Sequence, residues 1–254
     1  LVGSEMCIRD SVITTNDGLA SNLVWQSWVS YMAPEAAYGT ACTDYNGYRM
    51  IDARLFSQIS DSDWRKTTWI APEDVAGQNA FNTKYARGLS IGYDTWKGFQ
   101  AYAGFKFHPA NGECTTSTVG NAVSIPMMRV EEMYLIEAEA VGASQNVAAG
   151  VQLLNNFMKQ YRQSNYNFST GDLRNFQLEV LKQMRIEFWG EGIAFPTAKR
   201  LKPDVIQNYE GTNFIEDIFK INCKGVKPNW TLMIPKTEVD SNTCLLYTSD
   251  AADD

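Results

Sequence analysis

Hydrophobic positions divide the sequence into an irregular first part and a helical second part, with the change near residue 122. In residues 124–141, 145–162 and 172–189, apolar residues recur every three or four positions, which is the spacing of an amphipathic helix. A shorter helix is predicted at residues 197–201. Because only a short turn separates the first two helices, we expect them to form an antiparallel helical hairpin.

Residues 12–121 have weak periodicity and many aromatic, glycine and proline residues, which is typical of loops with short strands and helical turns. Within them, a short helix is predicted at residues 52–57 and a strand in the segment KTTWI, residues 66–70. The expected fold class is therefore mainly α, with helical hairpins, long loop-rich segments and little strand.

The two ends of the sequence look foreign to the rest. LVGSEMCIRDS at residues 1–11 and CLLYTSDAADD at residues 244–254 resemble translated sequencing-adapter DNA, and neither continues the pattern beside it. We expect both ends to make few contacts and to carry no function. The remaining sequence divides into a loop-rich aromatic region, residues 12–121, which is expected to bind ligand, and a helical region, residues 122–243.

Composition excludes several classes of function. The chain has 254 residues, 44% of them hydrophobic, and a net charge of −7, with no basic stripe that could replace phosphate counterions. A nucleic-acid partner is therefore not expected. His108 is the single histidine, and the cysteines lack metal-ligand spacing, so neither a metal site nor a cofactor is predicted.

Two carboxylates occupy unusual positions in the helical pattern. In RVEEMYLIEAEA, residues 129–140, Glu137 projects onto the apolar arc, and Glu187 does the same in the third long helix. One interpretation is a glycosidase acid–base pair, formed by these two residues or by Glu187 with Glu191. The interpretation we favour is a buried structural ion network, because an unpaired buried carboxylate is costly. The expected partners are arginines, namely Arg129, Arg185 and Arg200.

Aromatic residues are concentrated between Trp25 and Tyr48, in a stretch predicted to be loops. Long irregular loops carry function more often than the helices that support them. Aromatic rings offer large faces at low entropic cost, which suits contact with the apolar faces of sugar rings. Trp25 follows an apolar run and is expected in the core. The candidate glycan-binding residues are Trp28, Tyr31, Tyr38 and Tyr45.

The helical segments carry a family resemblance. RVEEMYLIEAEAVGASQNVAAGVQLLNNFMKQYR and LKQMRIEFWGEGIAFPTAKRLK resemble the C-terminal part of the SusD/RagB family, with weaker similarity in DARL, KF and MIPKTEVDSN. Gln183 and Met184 depart from the family pattern, as does the segment FPT at residues 195–197. The positions that fit the helical motifs are Arg129, Glu132, Tyr134, Leu135, Ile136, Ala138, Glu139, Ala140, Leu154, Asn155, Arg185, Ile186, Glu187, Gly190, Glu191, Gly192, Lys199 and Arg200.

This resemblance implies a fold of tetratricopeptide-like helical hairpins and a role without catalysis. It implies an outer-membrane, surface-facing lipoprotein that binds oligosaccharides and delivers them to a SusC-like TonB-dependent transporter. It also implies that an N-terminal half with the lipid anchor, the expected attachment to the membrane, is missing from this sequence. The alternatives are a glycoside hydrolase that uses a glutamate pair and a helical-repeat scaffold that binds peptides.

Overall fold

The computed structural model describes residues 7–11, 32, 49–75, 101–113, 116–214 and 216–225. Of these residues, 51% are helical and 8% are in strands, so the described fold is mainly α. The helices are α1 (Ala53–Ser57), α2 (Ser117–Gly120), α3 (Val130–Ser144), α4 (Val147–Tyr161), α5 (Leu173–Glu187) and α6 (Ala194–Leu201). The strands are β1 (Cys7–Ser11), β2 (Ile125–Arg129), β3 (Val205–Ile206) and β4 (Asn222–Cys223). Short 3₁₀ helices occur at Trp64–Thr68, Pro72–Asp74, Ala110–Gly112 and Asp217–Phe219.

Helices α3 and α4 form the predicted helical hairpin. The side chain of Asn146 caps α4 by accepting a hydrogen bond from the Ala149 amide at 2.9 Å, which satisfies a donor that the first helical turn leaves open. The helices approach closely at Gly142 and Gly150. A Cβ atom on Gly150 would lie 2.6 Å from the Gly142 Cα, so a side chain does not fit there.

Helix α5 lies between two hydrophobic cores. Phe176, Val180 and Met184 pack with apolar residues of α3 and α4, including Leu135 and Leu154. Near the end of α5, Ile186 belongs to a second core that is formed with the segment around α1. The residues of this second core are Ile51, Leu55, Phe56, Ile59, Trp69, Ala71 and Ile186.

The segment before α3 is a strand, although the sequence pattern predicted a helix from residue 124. Pro126 explains the difference, because proline lacks the backbone N–H and disfavours the helical conformation of the residue before it. β2 pairs antiparallel with β1. The expectation of few contacts is therefore wrong for Cys7–Ser11, while residues 244–254 lie outside the described part of the chain.

Two other elements differ from the prediction. The segment predicted as a strand at residues 66–70 is largely a 3₁₀ helix, because the Asp63 carboxylate accepts from the Arg65 amide at 3.0 Å and caps it. Helix α6 begins at Ala194, three residues earlier than predicted. Pro196 is tolerated there because it lies in the first turn, where backbone N–H groups have no intrahelical partner. Across the described ranges, no helix has the length and apolarity needed to span a bilayer.

Candidate functional site

Glu187, the last residue of α5, is the centre of a buried group of ions. Arg162 contacts both of its carboxylate oxygens, through Nε at 2.8 Å and Nη2 at 2.9 Å. Arg65 donates from Nη1 at 3.0 Å, and Arg129 donates from Nη2 at 3.1 Å. The carboxylate thus joins a 3₁₀ helix, the end of β2 and the end of α4 to the end of α5. This position ties together elements that are distant in sequence.

Further carboxylates complete the group, which we name the Glu187 cluster. Arg162 Nη2 lies 3.1 Å from Glu131 Oε1, and Arg129 Nε lies 3.0 Å from Glu191 Oε2. Glu191 also forms a salt bridge with Lys106. Each carboxylate side chain in the cluster is at most 4% exposed. Four cationic side chains therefore balance four anionic ones: Lys106, Arg65, Arg129 and Arg162 against Asp63, Glu131, Glu187 and Glu191.

The electrostatics of the cluster keep Glu187 ionised. Burial by itself raises the pKa of this carboxyl group, but the hydrogen bond from Arg162 and the charges of Arg65, Arg162 and Arg129 lower the pKa to about 2. A carboxylate with this pKa does not hold the proton that a general acid must donate near neutral pH. Its role is to neutralise three buried arginines.

The stability of the protein is expected to fall between about pH 4.5 and pH 2. Because the folded-state pKa of Glu187 is depressed, its contribution is fully present above the unfolded pKa and is lost as the carboxyl is protonated. The pKa shift corresponds to roughly 3 kcal/mol of the free energy of unfolding. Urea denaturation at a series of pH values from 7 to 3 measures how this free energy depends on pH. A Glu187→Gln variant should have a shallower acid dependence, and an unchanged dependence would contradict this assignment.

Glu137 does not belong to the cluster, so the sequence prediction for this residue is wrong. Its side chain is exposed, and among the described residues no ion pair involves it. The buried stripe of α3 instead runs through Glu131, Leu135, Ala138 and Gly142. Ala138 and Gly142 are small, so they contribute little to a helical projection. The apolar arc predicted from the sequence was instead set by larger residues that are exposed in the structure, namely Met133, Tyr134 and Ile136.

The predicted arginines have three different environments. Arg129 contacts Glu187, which is one of the expected pairs. Arg200 instead holds Glu139, with both guanidinium–carboxylate distances at 2.7 Å, in the bidentate geometry typical of arginine. Arg185 is not in the cluster: it forms no ion pair with Glu187, and it lines a surface cleft.

Sequence reasoning missed Arg65, Arg162, Lys106 and Glu131. Arg65 is 122 positions from Glu187 in the sequence, and no local spacing relates the two. Glu131 lies on the buried face of α3, one helical turn before Leu135. A helical projection that counted small residues as buried would have placed Glu131 on that face.

A glycosidase site does not fit the glutamates considered in the sequence. Glu187 and Glu191 both contact Arg129, and their carboxylates are 4% and 3% exposed. A glycosidase needs a carboxyl pair that reaches substrate, with one member protonated. Glu137 is exposed but does not face Glu187 in any described contact. These glutamates therefore support structure instead of hydrolysis.

Asp52 lies in the wall of an open groove, which we name the Asp52 groove. It consists of three adjoining clefts of about 520, 530 and 290 Å³, each lined in part by Asp52. The Asp52 carboxylate caps α1 by accepting from the Arg54 amide at 2.8 Å, and it also accepts from the Tyr209 hydroxyl at 2.6 Å. These hydrogen bonds fix the position of the Asp52 side chain in the groove wall without a bound ligand.

The groove combines apolar surfaces with polar groups. Phe195 on its first cleft is 43% exposed, and Phe219 on its second cleft is 57% exposed. Trp189 lines the second and third clefts. Other polar and charged lining residues include Arg49, Arg54, Gln58, Asn175, Lys182, Arg185 and Gln207.

The predicted glycan-binding residues Trp28, Tyr31, Tyr38 and Tyr45 lie outside the described residues. Met32 is described, and it lines the second cleft of the Asp52 groove beside Arg49. Two further tryptophans of the loop-rich region have different environments: Trp64 is exposed, and Trp69 is buried in the second hydrophobic core. In the part of the chain that the structure describes, no group of three potential metal ligands is found.

Comparison with known proteins supplies the fold. No protein-family model matches the sequence, and no curated protein is significantly similar to it. The structure is similar to the crystal structure of a SusD-like carbohydrate binding protein from Bacteroides vulgatus, with a TM-score of 0.63 and 18% identity over 94% of this chain and 48% of that chain. A SusD superfamily protein from Bacteroides fragilis gives a TM-score of 0.45 and 16% identity over 77% of this chain and 40% of that chain. The chain therefore spans about half the length of the solved structures that it resembles, and its fold is SusD-like.

Proposed function

We propose that this chain, which has the SusD-like fold, belongs to a non-enzymatic protein that binds oligosaccharides at the Asp52 groove. The observation that carries the proposal is the similarity over 94% of the chain to a protein described as SusD-like and carbohydrate binding. The activity is proposed for the longer protein, since the aligned region is 48% of that relative.

The walls of the groove support carbohydrate as the ligand. A sugar ring has an apolar C–H face and a rim of hydroxyl groups, so its site needs aromatic surface beside hydrogen-bonding side chains. Exposed Phe195 and Phe219 supply such surface, and Gln58, Asn175 and Gln207 supply amide groups that can donate and accept. Clefts of several hundred Å³ match the size of small-molecule sites.

We assign the candidate aromatic residues to the same site. Tyr31 precedes Met32 in the sequence, and Met32 lines the second cleft. Trp28, Tyr38 and Tyr45 belong to the same loop-rich stretch of sequence. In this proposal, they add stacking faces to the polar groups of the groove.

The cellular role follows from the resemblance to the SusD/RagB family. We propose a surface-facing position at the outer membrane and delivery of the bound oligosaccharide to a SusC-like TonB-dependent transporter. We propose that a lipid anchor attaches the longer protein to the membrane. The absence of hydrolysis is supported by the buried, ion-paired state of Glu187 and Glu191.

Replacing Trp28 or Tyr38 with alanine is expected to weaken oligosaccharide binding about tenfold, because each ring would remove roughly 1 kcal/mol or more of stacking and burial. Binding is measured by titrating soluble oligosaccharides and following tryptophan fluorescence. Trp64→Phe is the matched control, since Trp64 is exposed and is not among the residues that line the groove.

Two outcomes would count against the proposal. Undiminished binding in both alanine variants would show that Trp28 and Tyr38 are not part of the ligand site. Release of reducing sugar ends during the titration would show that the protein is an enzyme.

A further inference from the structure

Arg185 is the charged residue of the first cleft of the Asp52 groove whose side chain has no hydrogen bond or ion pair among the described residues. Arg185 lines both the first and the third cleft. Its side chain is exposed, and among the described residues it takes part in no hydrogen bond or ion pair. A guanidinium has five N–H donors in a planar fork, so Arg185 brings a large unused donor capacity to the groove.

The other charged residues of the first cleft are already engaged. Arg54 donates to the Ile206 carbonyl at 3.1 Å and lies over the Tyr209 ring. Lys182 pairs with Glu179 at 2.6 Å. On the acidic side, Asp52 accepts from Tyr209 and Asp204 accepts from the Gly225 amide at 3.2 Å. Among the charged side chains of this cleft, the one without a described partner is therefore the cation Arg185.

We propose that Arg185 is the anion-recognition residue of the Asp52 groove, and that the oligosaccharide bound there carries a carboxylate, as uronic acids do. This inference rests on the proposed function. A carboxylate matches the guanidinium fork, because its two oxygens can accept two parallel N–H donors. Phe195, exposed on the same cleft, offers its ring to the apolar face of the sugar that carries the carboxylate.

The local electrostatics favour an added anion. Desolvation in the concave wall lowers the pKa of Arg185, and the positive charge of Arg54 lowers it further, while Asp52 raises it. Asp52 is already hydrogen-bonded to the Tyr209 hydroxyl and the Arg54 amide, so it compensates Arg185 without forming a direct ion pair. A ligand carboxylate would supply the missing partner for Arg185 in this wall.

The test uses two forms of one ligand: a short oligogalacturonate and the same oligomer with its carboxyl groups methyl-esterified. Isothermal titration calorimetry measures both, together with a neutral oligosaccharide panel, on the full chain. The acid form is expected to bind at least tenfold tighter than its ester, and Arg185→Gln is expected to remove this difference. Raising the NaCl concentration should weaken binding of the acid form alone.

Control variants separate recognition from stability. Arg174→Gln removes the same charge from the same helix, α5, and Arg174 is not among the lining residues, so it should keep the preference for the acid form. Arg185→Lys keeps the charge and loses the fork, and it is expected to retain only part of the preference. Thermal unfolding shows which variants are folded, so that a lost preference is scored only in a folded protein.

The outcomes distinguish this inference from the proposed function. Equal binding of the acid and the ester, or an equal loss for both in Arg185→Gln, would overturn the role of Arg185 and leave oligosaccharide binding intact. Binding of neutral oligosaccharides but of neither galacturonate form would do the same. Failure to bind any member of the panel would reject the proposed function and the inference together.

Discussion

Glu187→Gln is expected to lower the free energy of unfolding by about 3–5 kcal/mol, because removing one partner leaves other buried charges uncompensated. The side chain keeps its size, so the loss is electrostatic. Arg65, Arg129 and Arg162 would each lose a charge-assisted hydrogen bond in an environment that excludes water. For a chain of this size, such a loss lowers the melting temperature by roughly 10 °C.

The matched control is Glu137→Gln, the same chemical change on an exposed position of α3. It is expected to alter stability by about 0.5 kcal/mol or less, as is usual for surface substitutions. Urea denaturation of the wild type and the two variants gives both values. Similar losses in the two variants would contradict the assignment of Glu187 as the centre of the ion cluster.

Gly150→Ala is expected to destabilise the protein by about 3 kcal/mol, at the upper end of overpacking effects. The added Cβ would lie 2.6 Å from the Ala138 carbonyl oxygen and 2.6 Å from the Gly142 Cα. Both are backbone atoms, so no side-chain rotation relieves the clash and α3 must move away from α4. This cost exceeds the gain of about 1 kcal/mol that alanine brings to a helix interior.

Gly171→Ala makes the same substitution where the added Cβ would meet no atom within 4 Å. Because alanine restricts the unfolded chain more than glycine, it is expected to be neutral or to stabilise by about 0.5 kcal/mol. Differential scanning calorimetry of both variants measures the contrast. If Gly150→Ala were as stable as Gly171→Ala, the close crossing of α3 and α4 would be wrong.

The long helices could be predicted because their apolar residues repeat at helical spacing, and capping residues that the prediction did not use also mark two of their starts. Asn146 and Asp172 stand immediately before α4 and α5 and accept hydrogen bonds from amides in the first turn. These signals are local in sequence. The extended segment before α3 was missed because its apolar residues continue the helical pattern, whereas Pro126 prevents the helix from starting there.

The buried side of α3 was predicted incorrectly for a related reason. Large apolar residues outweigh small ones in a helical projection, but Ala138 and Gly142 face the core because α4 and Phe176 approach them closely. Small residues permit that approach, and Met133 and Ile136 remain exposed on the other side. The tertiary contact, and not the local hydrophobicity, decides which face is buried.

The candidate site was predicted only in part. A carboxylate in the apolar arc at Glu187 signalled an ion network, and Arg129 could be proposed from its position before α3. Arg65 could not, because tertiary folding alone brings it to Glu187. The Asp52 groove has the same origin, since Asp52, Arg185 and Phe195 meet only after α1, α5 and α6 pack together.

Hydrogen–deuterium exchange with and without a bound oligosaccharide tests the location of the ligand at the Asp52 groove most directly. If the ligand occupies the groove, peptides that cover residues 49–55 and 185–195 will exchange more slowly in its presence. The turn between α3 and α4, which contains none of the lining residues, will be unchanged. Saturable binding that protects the turn or another surface, and leaves both groove segments unchanged, would contradict the account.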